Sequence, residues 1–112
     1  MNKIDYKRVL EYNRLMNEGE TGEAMKINIS HVNLTNANLS GLNLSNSNLR
    51  NSNLRGANLK GANLRYTKLI NVDLTNANLI GVDFEGANLT KVNLTNAKIN
   101  IGNTYKYIYV IR

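Results

Sequence analysis

Cysteine, proline and tryptophan are absent from the 112 residues, and histidine and phenylalanine occur once each. Without cysteine there can be no disulfide and no thiolate metal site. His31 has no second histidine or cysteine with which to share a metal, and it reads as a solvated turn residue. No hydrophobic run is long enough to span a bilayer, and the residues after Met1 lack a signal-peptide pattern. The expected setting is soluble and cytoplasmic, in a bacterial cell, with no membrane contact. No Gly-rich strand-to-helix phosphate loop is present, and no serine has a neighbouring base to activate it. Asp73 and Asp83, ten residues apart, are not read as the paired carboxylates of acid–base catalysis. The expectation is a protein that is not an enzyme and takes no cofactor and no metal.

What is present is a period of five. Leu34, Leu39, Leu44, Leu49, Leu54, Leu59, Leu64, Leu69, Leu74 and Leu79 recur without a slip. Ile29 opens the register, and Phe84, Leu89, Leu94 and Ile99 close it. Two residues before each centre sits a small or β-branched residue, such as Ala37, Ala57 or Val72. The residue just before the centre is nearly always Asn, and the residue two after it is usually Gly or Asn.

A helix cannot use this spacing. Five residues turn roughly 500°, which leaves successive leucines about 140° apart around the cylinder. A straight strand sends odd-spaced residues to opposite faces. The remaining geometry is three extended residues and a bend. Ala37 and Leu39 then point inward, Asn38 points outward, and Ser40 and Gly41 form the corner. A type II turn needs positive φ at its second central residue, which suits Gly or Asn. Turns ending at His31, Tyr66 and Lys91 are therefore expected to avoid that geometry, because a Cβ resists positive φ.

The units Ala37-Asn38-Leu39-Ser40-Gly41, Ala57-Asn58-Leu59-Lys60-Gly61 and Ala87-Asn88-Leu89-Thr90-Lys91 resemble the pentapeptide repeat pattern A-[D/N]-L-x-x. The resemblance implies an all-β solenoid, a right-handed quadrilateral parallel β-helix with four units per coil. Residues 27–101 would then form fifteen units in about 3.75 coils, roughly 18 Å tall. The inferred core is the column of centres from Leu34 to Leu94, with Phe84 stacked on Leu64 and Leu44. Ser47, Ser52 and Thr67 replace inner apolar residues, and their hydroxyls are expected to bond to local backbone groups.

Residues 1–26 read as an N-terminal α-helical cap and linker. The helix is expected over 4–18, started by Asn2 or Asp5 and stopped by Gly19, with residues 19–26 as the linker. Tyr6, Val9, Leu10, Asn13 and Met16 share one face, with Tyr12 beside them. Residues 102–112 read as a C-terminal strand-like cap, since Tyr105, Tyr107 and Tyr109 alternate with Lys106, Ile108 and Val110. The same end could serve a homodimer; the expected state is a monomer or a homodimer through it.

The chain carries a net charge of +6. Arg50, Arg55, Lys60 and Arg65 follow four successive centres and form a possible interaction belt. Wound four units per turn, they point to four sides. Their column neighbours twenty residues away, such as Ser30, Ile70, Thr75 and Ile80, add no base. Nucleic acid is thus not the expected partner, because a groove-tracking surface wants its bases on one face. Asp83 and Glu85 flank Phe84 and read as solvated.

The leading functional expectation is a non-catalytic, rigid structural or protein-interaction scaffold with an unidentified protein partner. The resemblance supplies one alternative, a DNA-mimic-like modulator of type II topoisomerase of the quinolone-resistance type. Such members have acidic rods and a dimerising helix, whereas residues 27–101 hold seven bases and three acids. Direct electrostatic binding of nucleic acid is the second alternative.

Overall fold

The computed structural model describes residues 1–99. From Asn33 onward, each residue that precedes a centre bridges the residue twenty positions later in parallel, from Asn33↔Asn53 through Asn78↔Lys98. The Asn53 N–H donates to the Val32 carbonyl at 2.9 Å, and the Asn53 carbonyl accepts from the Leu34 N–H at 2.8 Å. This pattern repeats coil after coil, so each coil's backbone groups are satisfied by the coils above and below.

Within a coil, each centre begins a four-residue turn. The Ala37 N–H donates to the Leu34 carbonyl at 3.0 Å, and the next units repeat the bond. The third turn residue has φ between 58° and 75° at each corner from His31 to Asn96. Four corners per twenty residues give the column four sides. Side 1 carries the bridged Asn33, Asn53, Asp73 and Asn93, and side 2 carries Asn38, Asn58, Asn78 and Lys98. Side 3 carries Asn43, Asn63 and Asp83, and side 4 carries Asn48, Lys68 and Asn88.

The expectation for His31, Tyr66 and Lys91 fails. Their φ values are 58°, 59° and 60°, the same as at the Asn corners. An L-residue in this region is strained by roughly 1–2 kcal/mol. The ladder overrides that strain, because a different corner would break bonds such as His31 N–H to the Arg50 carbonyl (3.0 Å) and Tyr66 N–H to the Glu85 carbonyl (2.8 Å).

The Asn before each centre does more than face water. Its Oδ1 accepts from the backbone N–H two residues on, as in Asn58 to Lys60 (3.0 Å) and Asn63 to Arg65 (3.0 Å). These Asx turns satisfy an N–H that the coil leaves at the corner. Asp73 and Asp83 do the same for Thr75 and Glu85. Lys68 has no oxygen to offer, and the Ile70 N–H lacks this acceptor.

Inside, Leu34 through Leu79 at five-residue steps are at most 1% exposed, and Phe84 is 7% exposed in the same cluster as Leu44 and Leu64. Leu89, Leu94 and Ile99 are partly buried against that cluster. Thr67 bonds locally, its hydroxyl donating to the Leu64 carbonyl at 2.7 Å. Ser52 does not; its Oγ accepts from the Val32 N–H in the preceding coil at 3.1 Å. The Ser47 Oγ is buried and has no partner among the described residues. Inner polar positions thus look along the column axis as readily as along the chain.

Helix α1 spans Lys3–Asn17. Asn2 is its N-cap, with Oδ1 accepting from the Ile4 and Asp5 N–H groups. Gly19, at φ 78°, ends it. There the Glu20 N–H reaches the Leu15 carbonyl and the Gly19 N–H reaches that of Met16, a Schellman closure. The stretch read as linker contains a further helical turn, α2 (Thr21–Ala24), which buries Ala24.

Helix α1 lies along the open edge of the first coil, where no earlier coil supplies ladder partners. Its side chains replace them. Asp5 accepts from the Asn33 N–H (2.9 Å) and Asn13 from the Asn43 N–H (2.7 Å). The Tyr6 hydroxyl donates to the Asn38 carbonyl (2.9 Å) and that of Tyr12 to the Ser45 carbonyl (2.6 Å). The expectation for residues 102–112 lies outside the described residues.

Candidate interaction surface

The four belt residues stand at four successive corners, one per side. They differ in what surrounds them. Arg55, on the side 1 corner, pairs with Asp73 at 3.1 Å. Arg65, on the side 3 corner, pairs with Asp83 at 3.1 Å and also with Glu85. Asp83 and Glu85 are therefore not merely solvated; they grip one guanidinium. These pairs raise the Arg65 pKa, the Asp83 hydrogen bond first. Partial burial alone would raise the Asp73 pKa. Hydrogen bonds from the Thr75 hydroxyl and N–H and from Arg55 outweigh it and hold the carboxyl below its ordinary range. Such solvent-screened pairs contribute little to stability. Their effect is to cancel the positive charge of sides 1 and 3.

Sides 2 and 4 keep theirs. Arg50 and Lys60 make no ion pair among the described residues. Side 2 holds Lys60 and Lys98. Side 4 and its corner hold Arg50, Lys68 and Lys91, one in each of three successive coils. The three acids in residues 27–99, Asp73, Asp83 and Glu85, all belong to sides 1 and 3. The belt is thus two cationic sides separated by side 1, where one base meets one acid, and side 3, where one base meets two acids and the net charge is -1. Ile70 stands above Arg50 in its column, and Lys68 and Lys91 stand in adjacent columns of the same side.

Side 4 has two further features. The bridge ladder begins one step late there, with no Asn28↔Asn48 pair. A cavity of about 260 Å³ occupies that gap, lined in part by Tyr12, Met25, Lys26, Ile29, Ser47 and Asn48. Tyr66 stands at the edge where side 4 begins and is 54% exposed. The Arg65 guanidinium lies 5.6 Å from its ring centroid. Tyr66 also depends on Gly86 in the next coil, where any Cβ would collide with the ring.

No group of His, Asp and Glu side chains suited to holding a metal occurs among the described residues. No helix among them is long and apolar enough to cross a membrane. His31 is not simply solvated. Its Nε2 lies 3.1 Å from the Asn51 Nδ2 and its Nδ1 lies 3.2 Å from the Ser30 Oγ.

Two substitutions test the cost of the side 4 cations. Lys68→Asn should restore an Asx bond to the Ile70 N–H and stabilise by about 0.5–1.5 kcal/mol. Lys91→Gly should relieve the left-handed corner by about 0.5–1 kcal/mol. Denaturant unfolding should show both as higher midpoints with unchanged m.

A column of five-residue units, bridged every twenty residues around an apolar axis, defines a solenoid repeat protein. Residues 27–103 match the family described as the pentapeptide repeat region, and the chain belongs to the pentapeptide repeat family. It is similar to HetL, a pentapeptide repeat protein involved in heterocyst differentiation regulation in the cyanobacterium Nostoc sp. strain PCC 7120. The identity is 33% and the TM-score 0.55, over 68% of this chain and 38% of HetL. It is also similar to a pentapeptide repeat protein of the Arabidopsis thaliana thylakoid lumen. There the identity is 39% and the TM-score 0.47, over 65% of this chain and 57% of that one. This chain therefore spans well under two thirds of either protein. No curated protein matches it.

Proposed function

We propose that this chain is a non-catalytic interaction scaffold, wound as a right-handed quadrilateral β-helix and closed at its first coil by α1. The observation that carries the reading is the unbroken ladder from Asn33 to Lys98 around a filled axis. It leaves a rigid body whose outward groups are short amides, hydroxyls and charges. Rigidity lowers the ordering cost of binding, which suits a docking surface. The family is one of generally non-catalytic proteins. HetL, described as taking part in a regulatory process, is compatible with a role exerted through a partner. The topoisomerase alternative requires an acidic rod, and it fits poorly with two sides that carry unpaired cations.

Reciprocal affinity capture from the source cell tests the proposal. The expected result is one protein recovered in both directions, in a complex of fixed stoichiometry. A chain that elutes from fresh lysate at its own mass, with nothing bound at native concentration, contradicts it.

A further inference from the structure

The residues that break the repeat's local rules are not scattered. At the corner position that favours Gly or Asn, the exceptions are His31, Tyr66 and Lys91. At the Asx-turn position after Asn28, the exceptions through Ile99 are Lys68 and Lys98. Of these five, only Lys98 lies off side 4 and its two bounding corners. Each exception forgoes a turn bond or accepts a strained φ, so stability favours the ordinary residue. Local rules that fail together in one place point to a selected surface.

That surface has the chemistry of a peptide site. Arg50, Lys68 and Lys91 rise along it with no carboxylate on its strands or at the Arg50 corner, and Glu85 at the Tyr66 corner is held by Arg65. At about 4.8 Å per coil they cover roughly 10 Å of the column's height. Tyr66 and Met25, 54% and 48% exposed, give apolar contact at its margin. In the ladder gap, the Ile29 N–H and both backbone groups of Asn48 lack the bonds that their counterparts in later coils make. The unpartnered Ser47 hydroxyl lies in the wall of the same cavity. Unpaired strand groups recognise another polypeptide backbone. Flanking cations recognise carboxylates.

We infer that side 4 binds an extended, acidic peptide segment of a partner protein. Its backbone meets Ile29 and Asn48, and its carboxylates meet Arg50, Lys68 and Lys91. This rests on the scaffold reading and names the partner's chemistry. Nucleic acid would use the cations and leave the ladder gap unfilled.

The test uses the full chain and a fluorescein-labelled (Glu-Ser)6 peptide at low salt. Anisotropy should show saturable binding, weakened at least about tenfold in R50E/K68E/K91E and little changed in K60E/K98E. Amide resonances of Ile29 and Asn48 should shift on titration. Both variants alter exposed side chains, and matching thermal melts confirm that each is folded. No binding, equal loss in the two variants, unmoved Ile29 and Asn48 amides, or tighter binding of oligo-dT12 each overturns the inference. None of these outcomes touches the scaffold reading, which stands or falls on reciprocal capture.

Discussion

Leu59→Arg should abolish the folded column. Leu59 is fully buried in the second coil, with the stacked side 2 centres Leu39 and Leu79 in the same cluster. Removing a buried leucine side chain costs about 2–5 kcal/mol by itself. A guanidinium put in its place has no carboxylate within the axis to pair with. An unpaired charge there adds several kcal/mol more. A domain of this size has about 5–15 kcal/mol in all. Circular dichroism should show no cooperative melt. Asn58→Arg, one residue away and outward, loses only an Asx bond to the Lys60 N–H. It should cost about 1 kcal/mol and keep the fold. A Leu59→Arg melt that overlays wild type would mean that the side chain does not point inward.

Tyr12→Ala should be nearly as damaging, although Tyr12 lies outside the repeats. Its side chain is 1% exposed, and its hydroxyl donates to the Ser45 carbonyl at 2.6 Å. Truncation opens a cavity worth about 3–5 kcal/mol and leaves that carbonyl unpaired. Tyr12→Phe removes the hydroxyl alone and should cost about 1–2 kcal/mol. The same residue has an alkaline signature. Burial pushes its pKa up to about 12. The unfolded chain ionises near pH 10, where the folded phenol still holds its proton. Between pH 10 and 12 the unfolded state therefore binds fewer protons, and stability falls as pH rises. Two pH units correspond to about 2.7 kcal/mol. Urea titrations at pH 9 and 11.5 should show a smaller loss in Tyr12→Phe than in wild type. Equal losses would mean that the hydroxyl is already hydrated.

The period of five was legible because one residue type carries it, and because an odd period fits neither a helix nor a flat strand. The parallel register of twenty is less visible in sequence, since it follows from the corner angle rather than from any residue. What was missed follows from comparing columns alone. Arg55 reaches Asp73 and Arg65 reaches Asp83, each across eighteen positions. A side chain at a corner leans back over the strand of the coil above, so Asp73 and Asp83 lie two residues before the column neighbours Thr75 and Glu85, the second of which Arg65 also reaches. The same oversight separated Arg50 from Lys68 and Lys91. The left-handed corners at His31, Tyr66 and Lys91 were misjudged for another reason. Local propensity is worth about 1 kcal/mol per residue, whereas the ladder constrains every corner through its neighbours above and below. The Asx turns were readable in principle, since Asn two residues before a corner N–H is a known side-chain acceptor pattern. The late start of the ladder on side 4 depends on how α2 delivers the chain, and no residue announces it.

Engineered disulfides measure the winding most directly, since the chain has no native cysteine. Asn58 and Asn78 are bridged neighbours on side 2, with stacked strands about 4.8 Å apart. N58C/N78C should close an intramolecular bond under mild oxidation with the fold intact. N58C/D73C and N58C/D83C, fifteen and twenty-five positions apart, place the thiols on different sides and should stay reduced. Closure of either control pair, with N58C/N78C left open, would contradict a coil of twenty residues and every assignment of side made from it.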